Sequence, residues 1–291
     1  MAKSLGPILA ATVVVPNLNE AIAAYRDLLG HARLAHGRLD EELALAWGQP
    51  QLAGSSWCVL GPTSATGGLV RLVEAPGAPR PATFRTLGWV ALEILVASAD
   101  ETWTRCLEVP GFEVLQKPST VGATGSLRAL QAVGPGGEGV YLTQVVRASD
   151  LFDLPTLDTG RHLIYVVVVG TRDVDVTRHF FESVFGVPRV TDHPLPVKVL
   201  NQAYDLPSDS LHRISTVQLA GTSVIEIDEY PPSASSRPPR SSGLTIVTFA
   251  GRCPEDESVH SLSKRAEPPY WGAQACTVTG PFGLRIEVVQ R

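Results

Sequence analysis

A β-branched run, a turn and an amphipathic helix closed by glycine occur twice at nearly equal length, in 8–34 and 163–190. In the first, "ILAATVVVPNLNEAIAAYRDLLG", Asn17 is the expected N-cap, Ala21, Ala24, Tyr25 and Leu28 form the apolar stripe, and Gly30 ends the helix. In the second, "LIYVVVVGTRDVDVTRHFFESVFG", Asp173, Phe180–Phe181 and Gly186 take those places. Weaker copies run over 88–115 and 243–269. Each copy is followed by strand-like segments ending in "GGLVRLVEAP", "GPGGEGVYLTQVV", "GTSVIEIDEYP" or "GPFGLRIEVVQ". Pro/Ser/Gly-rich joints at 75–83, 147–161 and 231–243 separate them. The unit is strand, helix, then three strands, and it is present four times. A helix offset to one side lets each unit form a small curved sheet with one face covered, an α+β architecture.

Composition narrows the function classes. The chain has 291 residues, 44% apolar and 18% charged, which is a globular profile with ample core. A net charge of −5 without a Lys/Arg block gives no field for nucleic acid. The apolar start is short and broken by Pro16, so it reads as a first strand, and no run is long enough to span a bilayer. Cys58, Cys106, Cys253 and Cys276 form no CxxC, and the expectation is buried free thiols in a reducing cytoplasm.

The repeated order, with "VPNLNEAIAAYRDLLG", "RDVDVTRHFFESVFG" and "GPFGLRIEVVQ", resembles the vicinal oxygen chelate superfamily, which includes glyoxalase I, bleomycin-resistance proteins, methylmalonyl-CoA epimerase and extradiol dioxygenases. The resemblance implies four βαβββ units in two paired modules, with mostly antiparallel, mixed curved sheets and flanking helices. The expected modules are an N-terminal pair, 1–146, serving as scaffold, and a C-terminal pair, 161–291, carrying the site. It further implies metal ligands on the first and last strands of paired units. The last-strand ligand is a Glu in a pattern that "GPFGLRIEV" matches from Gly280 onward, with Gly in place of the leading Asp. Glu287 and Glu226 then occupy ligand slots, while Arg71 and Tyr141 occupy the matching slots of the other pair. Two facing carboxylates suit a divalent cation, or one held protonated can serve acid–base chemistry. The competing reading of Glu287 is a solvated or salt-bridged strand residue.

First-strand ligands are incomplete. Ala10, Val166 and Thr245 or Ile246 fall near those slots, and Trp89 falls in the second unit's. His162 is the candidate third ligand, toward the mouth. A divalent metal (Zn, Mn, Fe or Ni) and a metal-free site both stay open, and no two-His-one-carboxylate iron set is present. Asn201, Tyr204, His212 and Arg213 are expected to contact a polar ligand. Asp228 and Glu229 read as rim charges, Arg237 and Arg240 as parts of a solvated linker, and "GPGGEG" as a hairpin turn. The function expected is a small-molecule lyase or isomerase that moves a proton beside a carbonyl or enolate oxygen, with Glu226 and Glu287 catalytic. An extradiol dioxygenase and a metal-free drug-binding protein are the alternatives. The partners expected are a small-molecule substrate and, as an option, a second copy in a homodimer, with neither nucleic acid nor membrane.

Overall fold

A computed structural model describes residues 5–121, 125–149, 152–188, 192–238, 240–255 and 259–291. Arg189 and Val190 of the second long copy, and 256–258 of the last, therefore lie outside the described residues. Four units appear, and three of them carry the expected α-helix after the first strand. Unit one comprises β1 (Leu5–Val15), helix α1 (Leu18–Leu29), β2 (Ala32–Arg38), the short helix α2 (Glu41–Ala46), β3 (Ser56–Gly61) and β4 (Leu69–Glu74). Unit two comprises β5 (Gly88–Leu95), α3 (Ala99–Glu108), β6 (Glu113–Val121), β7 (Leu127–Val133) and β8 (Gly139–Val145). The one-turn helix α4 (Leu157–Gly160) lies in the joint. Unit three follows as β9 (Ile164–Thr171), α5 (Val174–Phe185), β10 (Asp192–Pro196), α6 (Lys198–Ala203), β11 (Leu211–Gln218) and β12 (Val224–Glu229). Unit four is β13 (Gly243–Gly251), β14 (His260–Leu262), β15 (Ala275–Thr279) and β16 (Arg285–Gln290), with no α-helix among its described residues.

Local chemistry fixes the helix ends. Asn17 accepts from Glu20 N at 3.2 Å, and Asp173 from Val176 N at 3.0 Å. Such a cap satisfies one otherwise orphaned amide and is worth about 1 kcal/mol. Gly30 and Gly186 end α1 and α5 with φ of 71° and 60°, a conformation that costs glycine little. The buried stripes of α1, α3 and α5 join the largest apolar core, with Tyr25, Phe181 and Phe185 fully covered.

The sheet order corrects the expected domains. One eight-stranded sheet runs β14-β15-β16-β13-β1-β4-β3-β2, and the other β10-β11-β12-β9-β5-β8-β7-β6. Both are mixed and curled. Unit one thus pairs with unit four, through antiparallel β1 and β13, and unit two pairs with unit three, through β5 and β9. The modules are not 1–146 and 161–291. The first strands are all apolar and β-branched, so local pattern cannot say which two edges meet; the joints decide it. Segments 75–87 and 231–243 run side by side between the sheets, with Leu87 N on Ser235 O at 2.8 Å, Ser235 N on Arg85 O at 3.0 Å, and Ser242 N on Pro79 O at 3.0 Å. Arg237 is therefore no solvated linker residue: its Nη2 donates to Trp89 O at 2.6 Å and its Nη1 to Ser242 O at 2.9 Å.

Two further features bear on the sequence reading. Cys253 and Cys276 form a disulfide, which overturns the expectation of four free thiols; Cys58 and Cys106 are free and buried. The turn at 134–139 does join β7 to β8, and Glu138 folds back inside it. Its carboxyl accepts from Gly136 N at 2.9 Å and from the Tyr25 hydroxyl at 2.8 Å, and burial pushes its pKa up to about 7. Among the described residues no helix is long and apolar enough to cross a membrane.

Candidate active site

Within each unit the last strand lies parallel to the first, and one rung of that pair faces the cup of the sheet. The four rungs are Thr12–Arg71, Glu93–Tyr141, Val168–Glu226 and Thr248–Glu287. The first-strand positions fall two residues beyond Ala10, Val166 and Ile246. In unit two the displacement from Trp89 is larger, because a bulge between Trp89 and Ala91 turns the indole to the other face. Trp89 packs against Phe249 instead and donates to Arg285 O at 2.6 Å.

The first cup, made by units one and four, is closed. Glu287 is fully buried and lies against Arg71, itself 3% exposed, at 2.9 Å. Its other donors are Thr248 Oγ1 at 2.7 Å, the Tyr270 hydroxyl at 2.9 Å and Trp47 Nε1 at 3.0 Å. Arg71 also donates to Thr12 Oγ1 and to the Tyr270 hydroxyl, both at 2.8 Å, and its guanidinium lies 4.4 Å from the Trp47 ring centroid. Burial alone would raise the Glu287 pKa, but the Arg71 charge and these three hydrogen bonds outweigh it and hold it below the usual carboxylate range. Trp47 and Tyr270, with Leu43 and Leu262, fill the remaining space. Every rung residue here is hydrogen-bonded to another.

The second cup, made by units two and three, is open. Its cavity is about 320 Å³, with Val166, Val168, Ile214 and Leu127 among the apolar walls and Glu93, Tyr141 and Glu226 among the polar ones. Phe152 and Leu154 from the joint before unit three cover one side, and Lys198 and His193 also line it. Glu93 accepts from Thr143 Oγ1 and, at 2.9 Å, from the Tyr165 hydroxyl. Burial raises its pKa, while those two hydrogen bonds pull the other way. Glu226 is raised further, by burial first, then by the Asp228 and Glu93 charges and by the hydrogen bond it gives to Asp228. Asp228 is raised as well, by burial, against which the proton offered by Glu226 acts. Like charges in one apolar site keep both carboxyls raised, Glu226 the more strongly. Asp228 is 2% exposed, not a rim charge, and its Oδ1 has no hydrogen-bond partner.

Among the described residues no three His, Cys, Asp or Glu side chains converge to hold a metal ion. The carboxyls of the second cup are committed to each other, to Thr143 and to Tyr165, and none of the rung residues is an imidazole. The donor set does not fit a resident divalent metal.

Solved structures share this architecture. Glyoxalase I from Zea mays matches 98% of this chain, over 92% of its own, at a TM-score of 0.61 and 15% identity. A putative dioxygenase from Bacillus subtilis subsp. subtilis str. 168 matches 100% of this chain, over 86% of its own, at a TM-score of 0.65 and 13% identity. The chain has the vicinal oxygen chelate fold. At such identities the likeness is one of fold. No family model matches the sequence, and no curated protein matches it.

Within this vicinal oxygen chelate fold, the expected site residues do not meet. Glu226 and Glu287 lie in different sheets, one open to a cavity and the other sealed against Arg71. His162 sits at the entry to β9 with φ of 60°, its carbonyl accepting from His31 Nε2 at 2.8 Å. It lines an open groove between the sheets, beside Arg161, and burial together with Arg161 and Arg105 lowers its pKa. Asn201, Tyr204, His212 and Arg213 do not line the second cup. Asn201 ties the α6–β11 loop by donating to Ser208 O and Ser210 O, and its Oδ1 accepts from His212 Nε2 at 2.6 Å. Arg213 is clasped by Asp175 and Asp192, and the Tyr204 ring packs edge-on against Tyr230. Glu93 is the residue that sequence reasoning missed. Its signal was present: one carboxylate inside the apolar run "GWVALEILV", the same anomaly that singled out Glu287.

Proposed function

We propose that the chain is a small-molecule enzyme that moves a proton beside a carbonyl or enolate oxygen, in the lyase or isomerase manner, within the cup of units two and three. The observation that carries this reading is the contrast between two carboxyls facing one apolar cavity. Glu226 is raised by burial and by the Asp228 and Glu93 charges, which favours its protonated form, whereas the rise that burial gives Glu93 is opposed by the hydrogen bonds from Thr143 and Tyr165. Environments that separate two carboxyls in this way assign an acid and a base. Glu93 takes the proton from the carbon next to the carbonyl, and its O–H bond forms as that C–H bond breaks. Glu226 gives its proton to the oxygen on which charge collects, and Asp228 is left to share the deficit. The Tyr141 hydroxyl, held neutral by burial and by Asp228, Glu226 and Glu93, is a second donor for that oxygen. Glu93 then returns its proton to a carbon of the enol while the enol O–H proton passes back to Glu226, which re-forms the carbonyl and completes an isomerisation. The apolar walls keep water out and strengthen each contact. The shared fold with glyoxalase I supports an enzyme over a passive binder, and no step runs through a metal.

Deuterium uptake tests this. Carbonyl compounds with an adjacent acidic C–H, incubated in D2O with the protein, should exchange that hydrogen, as read by mass spectrometry. Glu93→Gln and Glu226→Gln should each slow the exchange by about 10²-fold or more, the usual contribution of a positioned acid or base. His162→Ala should leave it unchanged. Saturable binding of such compounds without any exchange would make the cup the pocket of a binding protein.

A further inference from the structure

The closed cup shows what the open one lacks. In units one and four, the carboxylate of the last-strand rung is met by the guanidinium of Arg71, which lies under Trp47 and beside Tyr270. In units two and three the corresponding carboxyl is Glu226, and the rung where Arg71 would stand holds Tyr141. The space left is a cavity of about 320 Å³ lined by Tyr141, Tyr165 and Phe152 as well as by aliphatic side chains. Glu93 and Glu226 line this cup, with Asp228 buried two residues beyond Glu226, and the lining includes no arginine; its lone lysine, Lys198, is exposed. A single proton between Glu226 and Asp228 still leaves negative charge in an apolar enclosure, which is unfavourable until a counter-charge arrives. Asp228, nearly fully buried on the same strand face as Glu226, keeps an oxygen without a partner.

We propose that the open cup takes an organic cation, an amidinium or primary ammonium on an aromatic or branched apolar body, whose charged head stands where Arg71 stands in the closed cup. This rests on the reading of that cup as the ligand site and adds the charge of its ligand. The head pairs with the Glu226–Asp228 couple and lies against the Tyr141 ring, and the apolar body fills the space between Val168 and Ile214. Carboxylate- and phosphate-bearing compounds are rejected, because they would bury a second anion with no cation to meet it.

Four probes on one ring, namely benzamidine, benzylamine, benzyl alcohol and benzoate, separate charge from shape in calorimetric titrations of the full chain. Benzamidine or benzylamine should bind at least about tenfold more tightly than benzyl alcohol, equal to about 1.4 kcal/mol, and benzoate should bind most weakly. Glu226→Gln combined with Asp228→Asn should bring the cations down to the level of the alcohol. Tyr141→Arg, which plants a guanidinium in the cup, should abolish benzamidine binding and raise the melting temperature. Benzoate or benzyl alcohol binding as tightly as benzamidine would overturn the proposal, as would absence of saturable benzamidine binding; neither result depends on a variant folding. Selective cation binding without deuterium exchange would overturn only the catalytic reading. Exchange confined to neutral or anionic carbonyl compounds would overturn only the ligand charge.

Discussion

Glu287 and Glu226 occupy matching rungs of the two sheets, yet their neighbours give them opposite properties. Four donors and a full counter-charge surround Glu287, while a second carboxyl crowds Glu226. Removing one member of a buried ion pair leaves the other charge stranded at a cost of about 3–5 kcal/mol. Glu287→Gln should therefore lower the unfolding free energy by about that amount in urea titrations, with probe binding to the open cup retained. Replacing the pair together, Arg71→Met with Glu287→Leu, should recover most of the loss. The pH dependence follows from the same contacts. Because the folded pKa of Glu287 lies below its unfolded value, its stabilisation is present above the ordinary carboxylate range and is lost as pH falls through the folded pKa. Glu226→Gln, which removes the need to protonate a buried carboxyl beside Asp228, should leave stability unchanged or raised.

The fourth unit differs most from the others at the level of elements. Where α1, α3 and α5 cover units one to three, unit four has no α-helix among its described residues, and a covalent link ties the segment after β13 to β15. Cys253 and Cys276 are separated by 23 residues, a closed loop worth about 3 kcal/mol through the unfolded chain. Cys253→Ala with Cys276→Ala should lower the melting temperature accordingly, and reductant should produce the same shift in the parent protein and none in the variant. Cys58 and Cys106 should resist alkylation in the folded state, since burial raises their pKa to about 11 and about 12.

Across the whole molecule, the chain begins in one sheet, builds all of the other, and returns to finish the first. A fragment covering 1–146 holds units from both sheets and leaves β1 and β5 without their antiparallel partners β13 and β9; 161–291 leaves β9 and β13 one-sided likewise. Residues 79–238 retain every strand of the second sheet. This middle fragment should unfold cooperatively by circular dichroism, whereas the two terminal fragments should show no cooperative transition. The division of labour between sequence and tertiary structure has the same origin. Caps at Asn17 and Asp173, glycine stops at Gly30 and Gly186, and strand alternation act between near neighbours, so the sequence alone determined the repeated unit, its four copies and the fold class. Carboxylates inside the apolar runs around Glu226 and Glu287 were likewise visible as anomalies to be explained. Which first strands share an edge depends on contacts between residues far apart in the chain, such as Ile94 with Ile164 and Ala11 with Val247, and on the course of the joints. Only the tertiary structure could therefore place Arg71 against Glu287, separate Glu287 from Glu226, and bring Glu93 to the cup, because a carboxyl becomes an acid, a base or half of an ion pair through what the fold packs beside it.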